Sequence, residues 1–399
     1  MRFSLSGFLI ATAFALDFVE EDFLGARTNH NKRVAYTALR IGEKLNFKKE
    51  QLNDLVSYAI LHDNGISEYV TNKLTRVSRE NSENIIEHCI IGENNIKAYP
   101  FFDIEKNVIK YHHENYDGTG LYGIKGEDIP IKAQIIRFCD FIDNNFYLDK
   151  MCGDYRTEAI KEIKKEKGKL FSGEICDAFF EIIEGADYRL DIENEYIDLS
   201  LRRKIPKFYF DFMLEDIYEI TSVFSNIIDC KSRFTKNHSA ELAKKTSIMS
   251  DYYHYNSDTK IKLTIAATLH DLGKLAIPNN ILDSPRKLTP YEFSIIEAHT
   301  YYTRVALSEI EGFEEITEWA SNHHEKLNGN GYPYRKKAAD LDFNSRLMGC
   351  LDIYQALTEQ RSYRDSLDHE STMKIMNTMA SEGYIDSEIV DDINIIFKK

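Results

Sequence analysis

The chain has 399 residues, enough for two or three domains, and 43% of them are hydrophobic against 29% charged, which excludes a disordered or collagen-like chain. Its 50 Lys and Arg against 65 Asp and Glu leave a formal charge of -15. Such a surface repels nucleic-acid backbone and anionic membrane, so DNA, RNA and membrane partners are not expected, although a local basic pocket can still take a small phosphorylated ligand.

The first segment, MRFSLSGFLIATAFAL, sets one Arg before an apolar run, as a secretory signal does. It runs into LDFVEEDF without a break, however, and its apolar spacing predicts the first helix of a domain. No run approaches the ~20 apolar residues of a membrane span. Further amphipathic helices are expected over 33–45, 261–270, 291–310 and 371–379. Residues 184–205 lack a clean helical period and read as a linker. The expected organisation is a domain over 1–185, a linker over 186–208 and a second domain over 209–399. With only 7 prolines and few strand signals, the fold class is all-α. The 6 cysteines are scattered with no CxxC pair, which points to buried thiols in a reducing, cytoplasmic compartment.

The chain repeats itself. One series runs His30, His62-Asp63, His88, His112-His113 and Asp140; the other runs His238, His270-Asp271, His299, His323-His324 and Asp352. Partners are 208 residues apart at the first histidine and 212 at the last aspartate. The surrounding text agrees: YAILHDNG with AATLHDLG, YHHENYDGTG with NHHEKLNGNG, and IIRFCDFID with LMGCLDIYQ. The chain is a tandem duplication with diverged halves.

Each half therefore carries five histidines and two aspartates in the series. Imidazole and carboxylate together suit Fe, Mn, Zn, Co or Ni. Seven ligand groups exceed what one ion takes from protein, so two divalent ions sharing a carboxylate is the natural count, with Asp271 suited to the sharing. Two ions about 3.5–4 Å apart activate a water and clamp the oxygens of a phosphoester. Lys274, Arg361 and Arg364 supply positive charge for the remaining phosphate oxygens.

His270-Asp271-Leu272-Gly273-Lys274, His323-His324-Glu325, Gly331-Tyr332-Pro333 and Asp352 with Arg361 resemble the HD-GYP family of the HD superfamily, α-helical metal-dependent phosphohydrolases. The resemblance covers the chain from about Asp211 to the C-terminus. It implies metal ligands at His238, His270, Asp271, His299, His323, His324 and Asp352, with catalytic roles for Asp271 and Lys274. Phosphate contacts are implied at Lys274 and Arg361. Arg364 is expected either to touch substrate or to form a surface ion pair, and Tyr332 and Pro333 either to touch substrate or to shape a turn. Trinuclear members carry Glu four residues before the first His; Phe234 stands there, so a binuclear centre is expected. Two further departures are Gln355, where the family usually has Asp, and NGNG from Asn328 in place of DGxG, which is expected to disturb the substrate loop.

In the first half all seven ligand positions are filled, by His30, His62, Asp63, His88, His112, His113 and Asp140. Ile66 replaces the Lys, Asp149 replaces the Arg, and Gly120-Leu121-Tyr122 replaces GYP. A metal-binding but catalytically weak or regulatory domain is expected there. The resemblance thus implies a cyclic dinucleotide phosphodiesterase working from the second half, cleaving cyclic di-GMP to pGpG or GMP, with Fe or Mn favoured and Zn, Co or Ni compatible. The alternatives are a phosphodiesterase for cyclic GMP-AMP, a sensor that binds metal and nucleotide with little turnover, and another HD phosphohydrolase acting on nucleoside phosphates. The sequence leaves a homodimer open.

Overall fold

A computed structural model describes residues 1–24, 27–66, 82–231, 237–284, 286–360 and 365–398, of which 19–24, 82–85, 98 and 230 are described in backbone alone. The chain divides into two compact units, Ser4–Tyr209 and Phe210–Lys399, the latter including Met1–Phe3. Among the described residues the only strands are Arg2–Phe3 and Phe210–Asp211, paired antiparallel, and everything else that is regular is helical.

In the N-terminal unit, the helix Leu5–Leu24 buries Phe8, Leu9, Ala13 and Leu16, so the apolar N-terminal run is core material. The helix His30–Lys44 is buried along most of its length and packs on Lys49–Ile60 and Ile131–Phe146. The segment read as a linker is not one. It forms helices Ala186–Asp191 and Ile197–Lys204 that dock on the His30 helix. The docking buries Tyr188, Ile192, Ile197 and Leu201, split over two short helices, which is why no continuous apolar period announces it, and it adds polar contacts. Tyr36 donates to Asp191, Lys32 pairs with Asp198 at 2.7 Å, and Arg33 donates to Asn194 at 2.9 Å. The boundary is corrected at the other end too, because Met1–Phe3 fold with the C-terminal unit through their strand pairing.

The C-terminal unit repeats these elements. His238–Tyr252 answers His30–Lys44, each 15 residues and each preceded by an Asn in the left-handed region (Asn29 at φ 62°, Asn237 at φ 67°). Phe343–Thr358 answers Ile131–Phe146, each 16 residues. Helix starts are written into the sequence: Thr289 and Glu292 form a capping box at Pro290–Ser308, and the Asp342 carboxylate accepts from Ser345 N at 2.8 Å to start Phe343–Thr358. Among the described residues no helix is long and apolar enough to cross a membrane.

Candidate metal centre

Five elements of the C-terminal unit bring the second histidine series to one place. His238 is the first residue of its helix, and His270 and Asp271 lie in the turn that ends Ser257–Leu269. His299 sits mid-helix in Pro290–Ser308, His323 and His324 follow Glu314–Ser321, and Asp352 lies inside Phe343–Thr358. Gly273 allows the approach of the His299 helix, since a Cβ there would stand 1.9 Å from the His299 carbonyl oxygen. Glu325 explains its place after the paired histidines. Its carboxylate accepts from Tyr334 N at 2.7 Å and Lys336 N at 2.9 Å, folding the Gly331-Tyr332-Pro333 loop back over the site. That fold needs Gly331, whose Cβ would meet Lys326 N at 2.4 Å.

The donor atoms form two groups, His238, His270 and Asp352 in one and His299, His323 and His324 in the other, each within 4.8 Å. Asp271 lies between them. Its Oδ2 is 3.1 Å from His270 Nε2, while its Oδ1 is 3.5 Å from His299 Nε2 and 3.8 Å from His323 Nε2. His270, His299 and His323 each give Nδ1 to the carbonyl three residues back, Ala267 at 2.7 Å, Ile296 at 2.6 Å and Ala320 at 2.6 Å. This orientation turns every Nε2 inward. His270 Nε2 and Asp271 Oδ1 are buried with no hydrogen-bond partner. Buried polar atoms left so are costly, and a divalent cation between them satisfies both.

Metal binding needs neutral imidazole and ionised carboxylate. Protonation agrees with it at His299, His323 and His324 but not at His238, which burial pushes down but the Asp352 and Glu359 carboxylates push up to about 9, so a metal there displaces a proton. Burial, with the charge of His324 adding to it, holds His299 down at about 3 despite Asp271, and burial likewise holds His324 at about 4 and His323 well below its usual value. Burial pushes Asp271 up, but the charges of His270 and Lys274 outweigh it and keep the carboxyl well below the usual range. The residues present therefore fit divalent metal.

Lys274 Nζ lies on Asp271 Oδ2 at 2.5 Å, so the expected phosphate-binding cation is at the centre. The Tyr332 ring packs on His324, with centroids 4.9 Å apart, and Tyr332 N donates to the His324 carbonyl at 3.2 Å. Pro333 lines a cavity of about 480 Å³ with Ser294, Glu297, Asn330, Tyr332 and Arg335. Arg335, a cation at this mouth, was not expected from the sequence. Arg361, Arg364 and Phe234 lie outside the described residues. The NGNG loop is not disturbed. Asn328 Oδ1 accepts from Asn330 N at 3.0 Å, as Asp117 Oδ1 does from Thr119 N at 3.0 Å in the other half, because amide and carboxylate oxygens serve an Asx turn alike.

The N-terminal unit gathers its series in the same way. His30, His62 and Asp140 form one group, and Asp63 Oδ1 reaches His88 Nε2 at 3.2 Å and His112 Nε2 at 3.4 Å. Ile66 is buried at the lysine position, and Asp149 is occupied by a bidentate pair with Arg27. Sequence reasoning placed no thiol here, yet Cys89 joins the cluster of His88, His112 and His113. Its repeat partner is Thr300, so the alignment of the two halves carried no signal for it. Burial pushes this thiol up, but the charges of His88 and His112 outweigh it and hold it at about 6.

The model of the HD domain matches twice, over residues 21–175 and 222–389, once for each repeat. The chain belongs to the HD domain family. This HD chain is 28% identical over 389 residues to 3′3′-cGAMP-specific phosphodiesterase 1 of Vibrio cholerae, a match spanning 96% of the chain and 89% of that relative. It is 26% identical to 3′3′-cGAMP-specific phosphodiesterase 3 of the same organism, over 94% and 90% of the two. A probable cyclic di-GMP phosphodiesterase of V. cholerae is 33% identical over 175 residues, 41% of this chain and 40% of that one. Among solved structures, a cyclic GMP-AMP-specific phosphodiesterase of V. cholerae superposes with a TM-score of 0.69 at 22% identity, covering 100% of this chain and 98% of that one. That likeness shows the tandem HD fold.

Proposed function

We propose that this HD chain is a metal-dependent phosphodiesterase that opens a cyclic dinucleotide, with the chemistry in the C-terminal unit. The observation that carries the reading is Asp271, one oxygen toward each histidine group and Lys274 on the same carboxylate. His238, His270 and Asp352 would hold one ion, His299, His323 and His324 the other, and Asp271 both. When bound, the ions supply Lewis acidity toward a phosphoryl oxygen and lower the pKa of a water. Lys274 then offsets charge on the phosphate oxygens, and Arg361 and Arg364 are the further cations proposed for this role. Tyr332 and Pro333, with Arg335, wall the adjoining cavity where a base or ribose would lodge. Hydrolysis joins the water oxygen to phosphorus and breaks the bond to the ribose 3′-oxygen. That oxygen leaves with a proton, giving the linear dinucleotide.

Two substrates share this chemistry. Cyclic di-GMP is the one the HD-GYP resemblance implies. The relatives aligned along nearly the whole chain are named for 3′3′-cGAMP, which favours that mixed dinucleotide as an equal test substrate. For the N-terminal unit, Ile66 and the Arg27–Asp149 pair leave no counterpart to Lys274 and Arg361, which supports a metal-binding, regulatory role over a second active site.

The test is chromatographic product analysis of anaerobically purified chain loaded with Mn or Fe, offered both dinucleotides, beside Asp271→Ala and Asp63→Ala. Linear product lost in Asp271→Ala and altered in rate but not abolished in Asp63→Ala supports the reading. No product from either substrate with metal bound would overturn it in favour of a nucleotide sensor.

A further inference from the structure

The two units differ at the buried position that follows the third histidine of each series. In the C-terminal unit it is Thr300, whose hydroxyl is turned away to donate to the Glu297 carbonyl at 3.0 Å. In the N-terminal unit it is Cys89, with its Sγ 3.5 Å from His88 Nε2 and fully buried. The donor atoms of His88, Cys89, His112 and His113 all lie within 4.8 Å of one another. His112 Nδ1 is engaged by the Ile109 carbonyl at 2.6 Å and lies 3.8 Å from Cys89 Sγ, while its Nε2, buried and without a hydrogen-bond partner, faces Asp63 Oδ1 at 3.4 Å, as His88 Nε2 does at 3.2 Å.

We propose that Cys89 is a metal ligand, and that with His88, His112 and His113 it makes the N-terminal unit a closed zinc site rather than a hydrolytic one. The proposal rests on the reading that this unit binds metal. A tetrahedral ion with bonds of about 2.3 Å to sulfur and about 2.0 Å to nitrogen sets those two donors roughly 3.5 Å apart, which is the His88–Cys89 spacing. Three imidazoles and one thiolate are a complete set for zinc, and thiolate shifts preference away from the harder Mn and Fe that an all-nitrogen-and-oxygen site accepts. Structural zinc sites fill all four positions with protein, whereas hydrolytic sites keep one for water or substrate. Cys89 supplies a donor where Thr300 supplies none. The same unit has Ile66 at the phosphate-binding lysine position, so loss of the open position and loss of the cation agree.

The experiment uses the full chain carrying His270→Ala and Asp271→Ala, so that zinc reports on the N-terminal set. X-ray absorption at the zinc edge is expected to show one sulfur neighbour at about 2.3 Å. The cobalt-substituted protein should show a thiolate charge-transfer band in the near ultraviolet that disappears on Cys89→Thr. Zinc release to a chelator should speed up at least about tenfold in that variant. Zinc bound through nitrogen and oxygen alone would overturn the assignment of Cys89 while leaving a metal site in this unit. No zinc retained at all would overturn both. If Cys89→Thr fails to fold by circular dichroism, the absorption spectrum of the cysteine-containing chain still decides. None of these outcomes bears on hydrolysis in the C-terminal unit.

Discussion

His238 Nδ1 lies 2.8 Å from Glu359 Oε2, and the far side of the same ring sets Nε2 3.1 Å from Asp352. In the other half His30 Nδ1 is held at 2.7 Å by Asp143, three residues past Asp140 and itself clamped by Arg33. The C-terminal counterpart of Asp143 is Gln355, which accepts from Lys245 at 2.6 Å instead. The orienting carboxylate stands not at position 355 but at position 359, the extended residue that caps the C-terminal end of Phe343–Thr358.

A carboxylate behind a ligating imidazole fixes the ring and raises its basicity, and its loss typically costs about 10–100-fold in metal affinity. Glu359→Gln is therefore expected to weaken metal binding at the C-terminal centre by that order, measured by competition with a chelator. Adding Gln355→Asp to this variant should recover much of the loss. Unchanged affinity in the single variant would show that Glu359 does not position His238.

Gly273→Ala sets a methyl group against the His299 carbonyl, where backbone on both sides prevents escape. Overpacking of this kind costs roughly 1–3 kcal/mol. The sole tryptophan, Trp319, lies in the C-terminal unit with its indole N–H on Asp342 at 2.7 Å, so its fluorescence reports on this unit. The urea midpoint by that signal should fall, and product formation should fall further because His299 is displaced from Asp271.

Glu318 accepts from Arg304 at 2.5 Å, Lys336 at 2.7 Å and Asn322 at 3.0 Å. The Arg304 contact first, then those of Lys336 and Asn322, outweigh partial burial and lower this carboxyl from 4.5 to about 2. A carboxyl depressed in the folded state contributes stability above its unfolded pKa and loses it as pH falls through the folded one. The C-terminal unit should thus lose stability between about pH 4.5 and pH 2, and Glu318→Gln should flatten that part of the Trp319 urea-midpoint profile.

Asn328→Asp restores the residue common in the family, yet the loop already closes through the Asn328 side-chain oxygen. Product formation is expected to change less than about twofold, since the Asx turn accepts either oxygen. A large gain would mean that the charge at 328, rather than the turn, matters to substrate.

Some of this was legible before any folding was considered. Paired His-Asp and His-His steps, recurring in one order in both halves, register the restricted donor chemistry of a metal site, and helix starts at Thr289 and Asp342 follow from side-chain capping. The glycines at 273 and 331 were visible in the motifs, but the reason for them was not, because the clash each avoids is with a chain segment distant in space or folded back upon it.

The sequence by itself determined that this is an all-helical duplication, which histidines and aspartates are the candidate metal ligands, and that only the second half keeps Lys274. Helical period, donor type and order are properties of the chain read locally. Only the tertiary structure decided that residues 186–204 pack as helices on His30–Lys44, that Arg2–Phe3 pair with Phe210–Asp211, that Glu359 stands in for Gln355 behind His238, and that Cys89 enters the His88 cluster. Each depends on segments far apart in the chain meeting in space. No periodicity encodes such a meeting, and it exists only once packing has brought the two segments together.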